Sequence, residues 1–383
     1  MNIAPYPLPY SQAAVDDLRA RLAQTRWPDE IPGSAWEYGA DLSWMKQMCA
    51  YWKDQFDWKA QIQHMSRFSH FRYTGESGLG IHFIHERGQG PAPLPLVISH
   101  GWPGSFLEML KIIPMLTDPA AHGGDPKDSF DVVVPSLPGY GFSDRPMQRG
   151  MNTFRIAELW VGLMSELGYG RFGAQGGDWG ANVSTALGLR FPERLVGVHL
   201  NFTPGSYLPY VEPGEKLSEE AEGFLEHARR WDYELGAYSH IQETEPQTAA
   251  YALNDSPAGL AAWILEKFRD WADCDGDLRR RFTDDELLSN VTLYWMTQTI
   301  HSSCRLYYEV GKTPLHFQKG EYVGVPCGMA HFPKEDPFPP RSWVERGYNI
   351  QHWTEMPSGG HFAACEEPEL LARDIREFFR PLR

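Results

Sequence analysis

The pentapeptide Gly176-Gly177-Asp178-Trp179-Gly180 places a carboxylate among glycines, where an apolar stretch from Phe172 to Ala174 gives way to a helix that Pro192 ends. Glycines two before and two after the central residue let strand and helix backbones come close enough to hold Asp178 in a strained turn, its side chain pushed into a cleft. A carboxylate is ionised at neutral pH and needs no base to activate it. Attack on an acyl carbon would give only an anhydride, whereas attack on a saturated carbon bearing a leaving group gives an ester that water can cleave. A nucleophilic Asp178 therefore points to opening an epoxide or displacing a halide. The alternative is a helix N-cap, a role that Asp fills well.

Cleaving such an ester needs a base. Of the fourteen histidines, His361 has a distinctive placement, because Gly359-Gly360-His361-Phe362 lies between the last expected strand and the last expected helix. Since Asp178 is already charged, the task left for His361 is to activate the hydrolytic water. An acid should orient it. The turn Asn201-Phe202-Thr203 carries no carboxylate, while Phe332-Pro333-Lys334-Glu335-Asp336-Pro337 offers Glu335 and Asp336, between which position alone does not choose. An epoxide oxygen leaves as an alkoxide and needs a donor. Tyrosine in an apolar pocket suits this, and Tyr233, Tyr238, Tyr251, Tyr294, Tyr307 and Tyr308 are available, each with ordinary packing as its alternative role.

The elements that must position these groups follow from periodicity. Residues 1 to about 70 predict a helical arm: Ser11 can cap a helix with Val15, Leu18 and Leu22 on one face, and Ser43 a second with Met45, Met48, Trp52 and Phe56 apolar. Strands are expected over Ile81–His85, Leu94–Ser99 and Phe130–Pro135, with a helix from Phe106 to Leu116 between the last two. A helix from Phe154 to Leu167 leads into the Asp178 strand, and another strand covers Leu195–Leu200. Short apolar runs alternating with helices predict a mainly parallel sheet covered on both faces. From about 204 to 319 the alternation stops, with helices expected at Lys216–Tyr233, Ala258–Trp271 and Thr283 to about Tyr308. Strands at Val323–Met329 and Tyr348–Trp353 and a helix at Pro368–Phe379 close the chain. A helical insertion late in such a sheet reads as a lid over the strand ends. His100-Gly101-Trp102-Pro103-Gly104-Ser105 follows an expected strand. There an α/β-hydrolase donates one backbone N–H to its oxyanion hole, the other coming from the residue after the nucleophile. The donors here would be Trp102 and Trp179, with a plain strand-to-helix turn as the alternative.

With 383 residues the chain can bury a sizeable core, and a net charge of −15 argues against nucleic acid or an anionic membrane surface as partner. Its five cysteines, Cys49, Cys274, Cys304, Cys327 and Cys365, lack paired spacing, so neither a disulfide framework nor a zinc site is expected; they fit a reducing cytoplasm. No signal peptide and no apolar run long enough to span a membrane is read from the sequence. Gly168-Tyr169-Gly170-Arg171-Phe172-Gly173 has dinucleotide-fingerprint spacing, but it follows a helix and precedes a strand, the reverse of what that motif needs.

Assembled, these pieces resemble the α/β-hydrolase-fold epoxide hydrolases of the microsomal and juvenile-hormone type. The resemblance covers nearly the whole chain: the arm, the HGWPGS loop, PSLPGYGFSDRP at 135–146, GGDWG, the segment YSHIQ…LNDSPAGLAAWILEKF, and GGHFAACEEPELLARDIREF. It implies an arm over residues 1–75, a core over 76–203 and 320–383, and a lid over 204–319. It also implies Asp178 as nucleophile and His361 as base, and favours Glu335 over Asp336 as the acid, because the family's FP-x-E turn falls on Phe332-Pro333-Lys334-Glu335. The tyrosine before the HIQ segment is Tyr238. The second lies in a Ser-x-Arg-aromatic-Tyr pattern, here Ser303-Cys304-Arg305-Leu306-Tyr307 with leucine in place of the aromatic, which leaves Tyr308 as its rival. No metal or organic cofactor is implied, the substrate is expected to be a small lipophilic epoxide, and the oligomeric state stays open, a homodimer among its options. Microsomal members carry an N-terminal membrane anchor and this chain starts at the arm, so a soluble cytoplasmic enzyme is expected. The rivals are a haloalkane dehalogenase, which shares aspartate, histidine and fold, and a hydrolase-fold binding protein without turnover.

Overall fold

A computed structural model describes residues 2–75 and 78–383; Met1 and the Glu76-Ser77 pair, where the arm is expected to meet the core, lie outside the described residues. The first segments are β1 (Ile3–Pro5), α1 (Gln12–Ala23), α2 (Leu42–Asp54), α3 (Trp58–Met65), β2 (His70–Thr74), β3 (Gly80–Glu86), β4 (Leu94–Ser99), α4 (Ile112–Thr117) and β5 (Phe130–Pro135). Next come α5 (Thr153–Glu166), β6 (Phe172–Gly176), α6 (Trp179–Arg190) and β7 (Leu195–Leu200). Six helices then follow without a strand: α7 (Glu219–Leu235), α8 (Ala237–Thr244), α9 (Pro246–Leu253), α10 (Pro257–Trp271), α11 (Asp284–Thr297) and α12 (Ile300–Val310). The chain closes with β8 (Val323–His331), α13 (Arg341–Val344), β9 (Tyr348–Glu355), α14 (Ala363–Glu366) and α15 (Pro368–Phe379).

One nine-stranded sheet runs in the order β1-β2-β3-β5-β4-β6-β7-β8-β9. From β5 to β9 all neighbours are parallel, and β1, β2 and β3 add antiparallel strands at one edge. Both faces of the parallel part are covered, so β5 and β6 are buried at every residue and, apart from Asp131 and Gln175, are built of apolar residues and glycine rather than of an alternating pattern. The closing helix α15 buries Leu371, Ile375, Phe378 and Phe379 on one side. Each such side chain contributes about 1.5–3 kcal/mol of transfer free energy. β1 was not expected, because a proline-rich terminus carries no strand signal; its three residues pair in register with Phe71, Arg72 and Tyr73.

Two local expectations are corrected. Asp41, not Ser43, caps α2: its carboxylate accepts from the Trp44 amide at 2.6 Å, and Ser43 lies inside the helix. The long helix expected from Thr283 is two helices, broken where Gln298 takes a left-handed conformation at φ 52° and its amide turns back onto the Tyr294 and Trp295 carbonyls.

A buried cluster ties α15 to β7 and β9. Asp374 accepts from His199 Nε2 at 2.8 Å, His352 Nε2 at 2.8 Å and Thr354 Oγ1 at 2.6 Å. Burial opposes its ionisation, but the hydrogen bonds from His199 and His352 outweigh this and hold the carboxyl far below the usual carboxylate range. A depressed folded-state pKa gives stability that is present above the unfolded value of about 4 and is lost as the pH falls below it. Asp374→Ala should therefore cost about 3 kcal/mol at neutral pH, because two histidines lose a buried partner. Its melting temperature should also fall less on acidification than that of the parent chain.

Candidate active site

The turn that presents Asp178 is fixed by three glycine contacts. A Cβ at Gly176 would overlap the Gly180 carbonyl, one at Gly180 would overlap the Ser99 carbonyl, and one at Gly101 would meet the Asp178 carboxylate. Only glycine lets the start of α6 cross the ends of β4 and β6 at this separation. Asp178 itself sits at φ 48°, ψ −126°, a region that non-glycine residues rarely occupy, and its carboxylate makes no capping bond to α6. Instead Oδ1 accepts from the Trp102 amide at 2.7 Å. The Trp179 amide belongs to the first turn of α6, whose N–H groups find no partner within the helix. Of the two backbone donors named from the sequence, Trp102 thus bonds the carboxylate and Trp179 follows it directly in the chain.

His361 stands on the opposite wall, its Nε2 3.6 Å from Asp178 Oδ2. Its Nδ1 bonds both oxygens of Glu335 at 3.0 Å, which leaves Nε2 turned toward Asp178. Burial opposes protonation of the ring, yet the Glu335 charge and the hydrogen bond and charge of Asp178 outweigh it, and its pKa is raised well above 6.5. The backbone of His361 donates to the Trp271 carbonyl at 3.0 Å and its ring packs on the Trp271 ring, so the end of α10 helps to hold the imidazole. Asp336, the rival acid, is directed away and pairs with His227 at 2.6 Å. His100 is occupied on both sides, donating from Nδ1 to the Gly101 carbonyl and accepting at Nε2 from the Leu137 amide.

Tyr238 on α8 and Tyr307 on α12 face the same space, with ring centroids 6.0 Å apart. Tyr238 stacks on the Trp102 ring at 5.3 Å and Tyr307 meets the Trp179 ring edge-on at 4.6 Å. Burial, then the Asp178 charge, raises the Tyr238 pKa; burial, then Tyr238 and Asp178, does the same for Tyr307, so both keep their protons at neutral pH. Tyr308 points outward beneath Lys312. Tyr233 and Tyr251 are exposed, and Tyr294 is spent on the Gly104 carbonyl at 2.7 Å.

One group was missed in the sequence. Glu108 lies in a short 3-10 turn, Phe106–Lys111, half-buried, with a buried Oε1 that lacks a hydrogen-bond partner among the described residues. Burial pushes its pKa up to about 8; the Asp178 charge adds to this and His361 opposes it. With Asp178, His361, Asn201 and Gln175 it lines a cavity of about 20 Å³, room for a single water. Among the described residues no cluster of histidine, cysteine, aspartate or glutamate suited to a metal is found.

A carboxylate on a strained turn, a histidine and acid beside it and two neutral tyrosines above it can be compared with known proteins. Residues 3–109 match the family described as epoxide hydrolase N terminus, and residues 95–273 match the alpha/beta hydrolase fold. Over 98% of its length the chain is 40% identical to epoxide hydrolase 1 of Oryctolagus cuniculus, covering 88% of that protein. It belongs to the epoxide hydrolases. It is also 36% identical to juvenile hormone epoxide hydrolase 1 of Ctenocephalides felis, over 98% of this chain and 85% of that one. The crystal structure of juvenile hormone epoxide hydrolase from Bombyx mori superposes with a TM-score of 0.83 at 31% identity, covering all of this chain and 94% of that one. In this epoxide hydrolase no described helix is long and apolar enough to cross a membrane.

Proposed function

We propose that the chain converts an epoxide and water into a vicinal diol through an ester on Asp178. The observation that carries this reading is the placement of Asp178 Oδ2 3.6 Å from His361 Nε2, below two protonated tyrosines. Asp178 attacks a ring carbon, the carbon–oxygen bond breaks, and Tyr238 and Tyr307 hydrogen-bond the departing oxygen and supply its proton. Water in the small cavity then loses a proton to His361 and attacks the ester carbonyl carbon. The amides of Trp102 and Trp179 hold the oxyanion until the diol oxygen leaves with the proton from His361, and the proton then left on the regenerated Asp178 carboxyl returns to the tyrosine that gave its own in the first step. Glu108, neutral below about pH 8, orients that water from the far side. The rings of Trp102, Trp179 and Trp271 around the reacting carbon support a lipophilic substrate.

The division into an arm over 1–75, a core over 76–203 and 320–383 and a lid over 204–319 is part of this reading. It is supported by α8 and α12, from the helical run between β7 and β8, bringing both tyrosines over Asp178. A cytoplasmic setting is supported by five cysteines that all remain free. Diol release from an aryl epoxide, measured beside halide release from an alkyl chloride, tests the reaction class; halide without diol would overturn it.

His361 must be neutral to accept a proton, so ester hydrolysis should slow as the pH falls through its raised pKa, with an acid limb above the unperturbed value of about 6.5. Glu335→Gln removes the largest influence raising that pKa. The variant should lose about 10²-fold in the hydrolytic rate, and its acid limb should move to lower pH, as read from single-turnover decay of the ester across pH.

A further inference from the structure

We propose that the seam between α9, α12 and the core loop carrying Arg145 is a second binding site, which takes an amphipathic carboxylate: an anionic head on an alkyl tail. A groove of about 550 Å³ opens there, lined by Arg145, Gln247, Asn254, Gln298, His301 and Arg305. Arg305 is half-buried and among the described residues forms no ion pair, Glu309 one turn further along α12 acting on it only through its charge, although the chain carries 50 acidic residues against 35 basic ones. The one carboxylate among the described groove residues, Asp255, is already paired with Arg21 at 2.9 Å. Burial and then the charge of Arg145 lower the pKa of Arg305 against an opposing influence of Glu309, and burial followed by both arginines lowers that of His301. Cations that oppose one another at a half-buried wall, with amide groups beside them, are stabilised when an anion enters.

The tail has its own place. Ser302 and Arg305 also line an adjoining cavity of about 140 Å³ whose other walls include Pro138, Met147, Met151 and Leu306. Glu309 borders this second space together with Arg149, so these two charges offset each other and the cluster of cations lies in the first groove. The head therefore belongs against Arg145, His301 and Arg305 and the tail against the methionines. None of these residues lines the Asp178 cavity. Because Arg305 and Tyr307 share α12, an occupied site would fasten that helix to the core loop.

Calorimetry with octanoate, octanol and acetate at fixed ionic strength tests the site. Octanoate should bind at least about tenfold more tightly than either of the others, a difference of one decade in affinity. Arg305→Gln and, separately, the exposed Arg145→Gln should reduce octanoate to the level of octanol while turnover of a neutral aryl epoxide stays within about twofold, because neither residue touches the reacting groups. Octanol binding as tightly as octanoate, or octanoate affinity unchanged in both variants, would overturn the proposal; the second result would place the carboxylate in the Asp178 pocket instead.

Discussion

Replacing His361 by glutamine should leave an enzyme that opens its epoxide once and then stalls. Glutamine keeps the polarity and much of the volume of the ring, so the turn from Gly359 to Phe362 has no reason to collapse. Asp178 needs no base for its attack, and its hydrogen bond from Trp102 does not involve the histidine. What is lost is the group to which the proposed mechanism gives the proton of the water beside the ester carbonyl. Steady-state turnover should fall by about 10³-fold, within the range that positioned general bases contribute. The peptide containing Asp178 should gain the mass of one whole epoxide, in stoichiometric yield. Unmodified peptide together with lost turnover would show that His361 is needed before the ester forms, and the assignment of roles would fail.

Removing both tyrosine hydroxyls should strike the other half-reaction. In Tyr238→Phe with Tyr307→Phe the rings that pack on Trp102 and Trp179 remain, so the walls of the pocket are kept. The departing oxygen then has no donor in a space from which water is largely excluded. A single preorganised donor of this kind is worth about 10²–10³-fold. Each single variant should therefore slow ester formation by about 10²-fold and the pair by more, with non-additivity expected because the hydroxyls share one oxygen. Quenching of the neighbouring tryptophans in a stopped-flow single turnover would read the step. Ester hydrolysis, which needs neither hydroxyl, should keep its rate; an equal slowing of both steps would point to a structural role for the tyrosines.

The site was readable in the sequence where residue type alone carries the constraint. Gly176, Gly177 and Gly180 around an aspartate announce a close crossing of backbones, and the crossing is visible in the Ser99 and Gly180 contacts. His361 was readable because a glycine-flanked histidine between strand and helix has few other uses. Glu335 and Asp336 could not be separated by position, since neighbours in a turn differ only in direction: one is buried against His361 and the other meets His227 at the surface. Glu108 was hidden for a related reason. A single glutamate within an apolar helical pattern reads as the wet side of a helix, and only the tertiary packing of a 3-10 turn against the Asp178 cavity buries its Oε1. The break at Gln298 escaped as well, because glutamine carries no turn signal and the left-handed residue is imposed by its surroundings. The parallel sheet was legible strand by strand, whereas β1 owes its existence to a partner strand about seventy residues away.

The central claim, that the oxygen added to the epoxide comes from Asp178 and not directly from water, is tested by one turnover in oxygen-18 water with enzyme in excess over substrate. Attack by the carboxylate predicts an unlabelled diol and a single labelled oxygen in the peptide that contains Asp178. Labelled diol in that first turnover, with Asp178 unlabelled, would mean that water opens the ring itself and would contradict the covalent mechanism.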